Sequence, residues 1–290
     1  INSDLREIAP TIFLGVPRVW EKIMDGMFYH AFNFNQPVND WNVKNVLSMT
    51  SLFRKATNFD QSLNLWDVSN VVSMEEMFKD AKNFNHPIET WDVSNVVNMK
   101  SMFDNAIKFD QSLNCWNVSK IENMSMMFRN AKSFNHPLDL WNTKNLNDTS
   151  LMFQNAIEFD QDINNWKMKN VVNMYGMFYG TKFNNNINDW NVERVSNISW
   201  LFAKNKEYDK PMNIWNTESV ENMSNVFYNA ESFNQDINSW NVSNVKNMTS
   251  MFEGAKNFNQ PLDEWEVSNV EAMNSLFHKS SFNQNINMWN

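Results

Sequence analysis

The stretch whose reading decides the fold is Phe233-Asn-Gln-Asp-Ile-Asn-Ser-Trp240-Asn-Val-Ser-Asn-Val-Lys-Asn-Met-Thr-Ser-Met-Phe252. Its Trp recurs at 41, 66, 91, 116, 141, 166, 190, 215, 240, 265 and 289, at spacings of 25 with two of 24, from 166 to 190 and from 265 to 289. A fixed period of this length marks a solenoid or array. Ten full units occupy 41–289. Residues 24–40 fit the second part of an eleventh through Met24, Met27, Phe28, Ala31, Phe34 and Val38, and only 1–23 lie outside.

Working outward from the Trp, the twelfth residue on is Phe in every full unit, the eighth is Met in eight of ten, and the fifteenth is usually Ala. Positions 8, 11, 12 and 15 follow i, i+3, i+4, i+7 spacing, which predicts one face of a short helix. The seventh is Ser, Asn or Asp in nine of ten units, an N-cap oxygen at the helix start. Around the Trp the period changes to two: Trp-x-Val, with an aliphatic residue three before, predicts a short strand with one buried face. The fold class expected is therefore an α/β repeat, a solenoid of about 10–11 coils, each pairing a short strand with a short helix and covering the next. At about 4.8 Å per coil it makes a rod roughly 50 Å long. Its core should hold Trp66, Phe78, Trp91, Phe103, Trp116, Phe128, Trp141 and Phe153.

Polar positions recur as strictly. After the second Phe comes Asn or Asp in all ten units, and four after Trp comes Asn in seven of ten. Stacked amides that bond their counterparts and the turn backbone explain both. The 52 Asn of the 290-residue chain thus read as turn chemistry rather than disorder, which does not accompany 14% aromatics.

Composition closes other routes. One Cys excludes a disulfide framework, and the five Gly form neither dinucleotide nor P-loop fingerprints. A net charge of -9 argues against a nucleic-acid partner, and no apolar run of membrane-spanning length exists. The chain opens on Ile, as after removal of a signal peptide, and it stops at Trp289-Asn290 inside a repeat, where further coils or a partner are expected.

The repeat resembles the roughly 25-residue unit of BspA-like leucine-rich-repeat surface proteins, found in mycoplasma and lactobacillus surface lipoproteins and in large DNA viruses; the resemblance covers residues 24–290. It implies a leucine-rich-repeat-like solenoid on a cell or virion surface, used in adhesion, with no catalytic residues to carry over. Residues 5–23, Leu-Arg-Glu-Ile-Ala-Pro-Thr-Ile-Phe-Leu-Gly-Val-Pro-Arg-Val-Trp-Glu-Lys-Ile, resemble a segment of long-chain acyl-CoA synthetases, without the nucleotide-binding signature of those enzymes. Residues 1–23 are expected to cap the first coil, with a ligase fragment as the alternative.

Chemistry is sparse. His86 and His136 share one register two coils apart, about 10 Å, too far to share a metal ion. Glu75 and Glu76 read as a solvated face, Cys115 as a thiol with no His in register, and no cofactor or metal is expected. The seven N-x-[ST] sequons, at Asn117, Asn123, Asn147, Asn197, Asn222, Asn241 and Asn247, follow from the repeat itself. The residue before each Trp varies most. The candidate binding face is therefore Asp40, Leu65, Thr90, Leu140, Asn165, Asp189, Ile214 and Glu264 of that column, with Lys44, Lys144 and Lys169 three after Trp. The expected function is non-enzymatic recognition or adhesion at a cell or virion surface, binding protein or glycan. A structural spacer or coat component that self-associates through its ends is the second reading.

Overall fold

The computed structural model describes residues 24–289; the expected cap at 1–23, the acyl-CoA-synthetase-like segment within it and Asn290 lie outside the described residues. The segment eight to fifteen after Trp buries the expected side chains, Met49, Leu52, Phe53 and Ala56 in the first full unit, except in the last, where Met273 is exposed. It is nevertheless not a helix, and among the described residues there is none. Its backbone N–H groups alternate between two destinations. Those of Met49, Ser51, Phe53 and Lys55 donate to the carbonyls of Ser73, Glu75, Met77 and Lys79 in the next coil, at 2.7–3.0 Å. Those of Leu52, Arg54 and Ala56 donate three residues back within the coil, at 2.9–3.2 Å. A helix would return every N–H to its own turn four residues back, leaving none to join the coils.

Two residues per coil make this possible. Positions ten and fourteen after Trp have φ between 53° and 71° in every coil, from Gly26 and His30 through Ser51 and Lys55 to Ser275 and Lys279. A left-handed third residue is what a type II turn requires, and it turns alternate N–H groups along the solenoid axis. All four glycines of the described chain, Gly26, Gly176, Gly180 and Gly254, fall in these two columns, and none of the other eighteen residues there is Val, Ile or Thr. β-Branched side chains tolerate that conformation worst.

The strand is also shorter than expected. Trp66 and Val68 are buried with Asp67 exposed between them, so the period-two alternation is present. The chain turns again at once, with the Val71 N–H on the Val68 carbonyl at 2.9 Å. Parallel pairing survives only as single bridges at the seventh position, from Ser48↔Ser73 to Asn247↔Ala272, which still define a parallel solenoid with one rung per coil. The oxygens expected as N-caps do accept the N–H two residues on, as at Asn123 to Ser125 (2.8 Å) and Asn247 to Thr249 (2.9 Å), but they open a turn rather than a helix.

Three aromatic columns fill the interior. Phe53 and Phe59 stack within their coil at 3.9 Å between centroids, and Phe53 stacks on Phe78 of the next at 5.6 Å. Trp66 and Trp91 lie 6.4 Å apart and 4° from parallel. Each indole must also place its N–H when buried. That of Trp66 donates to the Val38 carbonyl of the preceding coil at 2.8 Å, and the pattern continues to Trp289 and the Leu262 carbonyl at 2.9 Å. Trp66, Phe78, Trp91, Phe103, Trp116, Phe128, Trp141 and Phe153 are all buried.

The amide ladders form outside this core. The Asn four after Trp donates to a carbonyl of the previous coil, as Asn70 does to Lys44 at 2.8 Å. After the second Phe, each side-chain oxygen accepts the N–H of its counterpart one coil on: Asn35 from Asp60, Asp60 from Asn85, Asn85 from Asp110, at 2.8–3.1 Å. From Asn35 to Asn234 this ladder alternates strictly between Asn and Asp.

The two 24-residue units lose their residue at one place. Elsewhere Ala and the second Phe are three apart. In the short units Thr181 and Phe183, and Ser280 and Phe282, are two apart. The hydroxyl replaces the missing turn: Thr181 Oγ1 donates to the Phe178 carbonyl at 2.9 Å and Ser280 Oγ to that of Phe277 at 2.8 Å. Fully buried Asn205 in the next coil donates to Thr181 Oγ1 at 3.3 Å and to the Phe183 carbonyl at 2.8 Å.

Candidate functional site

Because Trp and the Val two after it point inward, the residues one before, one after and three after Trp point outward in three columns. All the candidate residues lie there and are exposed: Asp40, Leu65, Thr90, Leu140, Asn165, Asp189, Ile214, Glu264, Lys44, Lys144 and Lys169. The pre-Trp column is held by its backbone. Asn39, Asn114, Asn188 and Asn238, each two before a Trp, accept the pre-Trp N–H of the following coil through their side-chain oxygens, Asn39 from Leu65 at 3.0 Å and Asn114 from Leu140 at 3.0 Å. The side chains are left projecting, with Leu65 70%, Leu140 67%, Ile214 61% and Met288 71% exposed. Each stands alone, three coils from the next, so together they form a spaced row of apolar side chains rather than a continuous patch.

The charged groups of the neighbouring columns are locally fixed. The Ser69 hydroxyl, and then its backbone N–H, bond the Asp67 carboxylate and hold its pKa below the usual carboxylate range; Ser94 does the same for Asp92. Lys144 and Lys169 precede Glu193 and Glu218 in the column three after Trp. Lys169 Nζ is 4.0 Å from Glu193 Oε1. A shallow groove of about 570 Å³ opens at the 24-residue unit, lined by Asn165, Asp189, Lys167, Lys169 and neighbours, so three of the candidates converge there. At this point Asn164 Nδ2 donates to Asp189 Oδ2 at 2.6 Å, and its buried Oδ1 has no hydrogen-bond partner among the described residues.

Other groups singled out in the sequence do not assemble. His86 and His136 each approach an aspartate of the preceding coil, with Nε2 3.1 Å from the Asp60 and Asp110 carbonyls respectively. Cys115 is exposed, and among the described residues no three His, Cys, Asp or Glu could share a metal ion. No helix among them is long and apolar enough to cross a membrane. Glu76 is not simply a solvated carboxylate. It contacts Arg54, lies 2.8 Å from Lys79 Nζ, and through Lys79 leads to buried Asp104, which Arg129 clamps through Nε and Nη2 at 2.9 and 2.6 Å. Burial pushes the Glu76 pKa up, but Lys79, Arg54 and the Ser51 hydroxyl together outweigh it and lower the pKa.

The sequence reading missed a second feature, a half-buried aromatic row on the turn side. Trp200 lies 5.9 Å from Tyr179 and 5.8 Å from Tyr228, and Lys204 Nζ sits 5.2 Å above the Tyr179 ring. The signal was present: with Tyr175, these are the aromatic residues of the middle coils that fall outside the Trp and Phe columns.

The family described as "Mycoplasma protein of unknown function, DUF285" matches residues 21–114, 85–186, 108–214 and 180–289, so overlapping matches span nearly the whole chain. The chain belongs to this family. That agrees with the likeness of its repeat to the BspA-like unit of mycoplasma surface proteins. No curated protein matches the chain. Among solved structures, "Crystal structure of TLR13-ssRNA13 complex" is 13% identical, with 82% of this chain and 41% of that chain covered and a TM-score of 0.28. "Crystal structure of leucine-rich repeat domain of APL1B" is 10% identical, with coverages of 97% and 76% and a TM-score of 0.31. The Toll–Spatzle complex from Drosophila is 10% identical, with coverages of 83% and 36% and a TM-score of 0.21.

Proposed function

We propose that this solenoid is a non-enzymatic recognition or adhesion module of a cell or virion surface, and that it engages protein or glycan through the outward columns beside the Trp row. One observation carries the reading: at four positions of the pre-Trp column the backbone is held in one way while the exposed side chain varies. The N–H of Leu65, Leu140, Ile214 and Glu264 is bonded in the same way each time, while the side chain changes from aliphatic to acidic. Variable side chains on an invariant frame are how repeat proteins present binding surfaces. The test replaces Leu65, Leu140 and Ile214 together by Ser and screens glycan and host-protein arrays against the parent. Loss of every captured ligand with unchanged melting is the expected result; undiminished capture sinks the reading.

A further inference from the structure

Two of these three columns, read in the opposite direction, complement themselves. Along the pre-Trp column the exposed apolar residues are Leu65, Leu140, Ile214 and Met288, each three coils from the next with two polar residues between. The pattern is unchanged by reversal about the point between Asn165 and Asp189. The column three after Trp is antisymmetric about that point: Lys144 and Lys169 lie on one side, Glu218 and Glu193 at the same distances on the other.

We propose that this face is the contact of an antiparallel homodimer, with a two-fold axis passing between the Trp166 and Trp190 coils. The inference rests on the reading of these columns as the interaction face, and it names the partner as a second copy of this chain. A two-fold axis lying in the contact plane, across the coils, lays each column on its own copy in reverse order. Leu65 then meets Met288 of the second copy, Leu140 meets Ile214, and Asn165 meets Asp189. Lys144 faces Glu218 and Lys169 faces Glu193, and the 4.0 Å pair within each chain becomes half of a four-charge cluster at the axis. A parallel pair, with its two-fold along the columns, would lay the column three after Trp on the pre-Trp column and set Lys144 and Lys169 against Leu140 and Asn165 rather than against glutamate.

One opposition is unfavourable. Asp92 faces Glu266 near the rim, where solvent screens it. The central groove meets its own copy, so the contact is wet at the axis and dry at the Leu140–Ile214 contacts on either side. Ten coils at about 4.8 Å, three columns wide, give on the order of 600 Å² per copy, at the small end of specific interfaces. The dimer is therefore weak and salt-sensitive.

Sedimentation over a concentration series at low salt tests this. The parent dimerises, and Lys144→Glu with Lys169→Glu weakens the dimer at least about tenfold. Adding Glu193→Lys and Glu218→Lys to the same chain restores it. Orientation is read separately: Ser239→Cys, which the axis sets opposite Cys115 of the second copy, gives a disulfide-linked dimer under oxidant, and the parent with Cys115 alone does not. A parent monomeric at every concentration, a dimer indifferent to the charge reversal, or a fourfold exchange that fails to restore it overturns the proposal. Monomers that still lose array ligands on substitution of Leu65, Leu140 and Ile214 would leave the face an interaction site and remove only the dimer. Dimers that capture no ligand would uphold the homodimer and remove the recognition reading.

Discussion

At the scale of single residues, the stacked columns make some positions costly and others correctable. Phe153 is fully buried, with Phe159 at 3.9 Å, Phe128 at 5.6 Å and Phe178 at 5.9 Å. Phe153→Ala should cost about 3–5 kcal/mol in urea unfolding, because neighbouring coils cannot collapse into the gap; a cost below about 1 kcal/mol would mean that the ring column is not core. Tyr208 occupies the place of the second Phe, fully buried, and its hydroxyl has no hydrogen-bond partner among the described residues. Burial, with Asp209 adding to it, pushes its pKa well up. Tyr208→Phe should raise stability by about 1–2 kcal/mol, since an unpaired buried hydroxyl is a net cost. Both positions were legible in the sequence, because a column is read by counting. The partner of a given N–H was not: Met49, Leu52, Phe53 and Ala56 face inward whether the backbone between them is helical or a chain of turns.

At the scale of the turn element, the missing information lay in the residues between the core positions. Twenty-two left-handed positions carry Ser, Asn, Lys, Gly and even Trp200, so no single residue type announces them; the absence of β-branched side chains in two columns does. Helix periodicity prevailed in the reading because four buried positions per unit satisfy both geometries. The outward face was legible for the opposite reason, since alternation about Trp depends only on which side chains point in. Gly254→Ala tests the turn directly. Its φ is 71°, and an added Cβ would lie 2.1 Å from Asn229 Oδ1. A loss of about 1–2 kcal/mol or more is expected from the left-handed backbone alone, read as a fall in Tm. In the short unit, Thr181→Val keeps the shape and removes the hydroxyl that stands in for a residue. It should cost about 1–3 kcal/mol by removing the acceptor of the Phe183 N–H and one of the two acceptors of the Asn205 amide.

At the scale of the molecule, resolved carboxylate shifts run one way. Asp67, Glu76, Asp92, Glu231, Glu253 and Glu266 all have pKa values lowered in the folded chain. A depressed folded pKa contributes stability that is fully present above the unfolded value and is lost as pH falls through the folded one. Tm should hold from neutral pH to about 5 and fall below about 4, where unfolded carboxylates take up protons first. Glu76→Gln should lower Tm at neutral pH and flatten that acid limb; a parallel fall in variant and parent would remove the Arg54–Glu76–Lys79 chain from the account. The alternating Asp and Asn ladder bears on length. Removing a unit that carries an Asn rung, such as Asn85, brings Asp60 and Asp110 onto adjacent rungs, whereas removing one that carries an Asp rung sets Asn beside Asn, a pairing that Asn234 and Asn259 already make at 2.9 Å. The ladder therefore tolerates the loss of an acidic rung and resists the loss of the neutral rung that keeps two acidic ones apart.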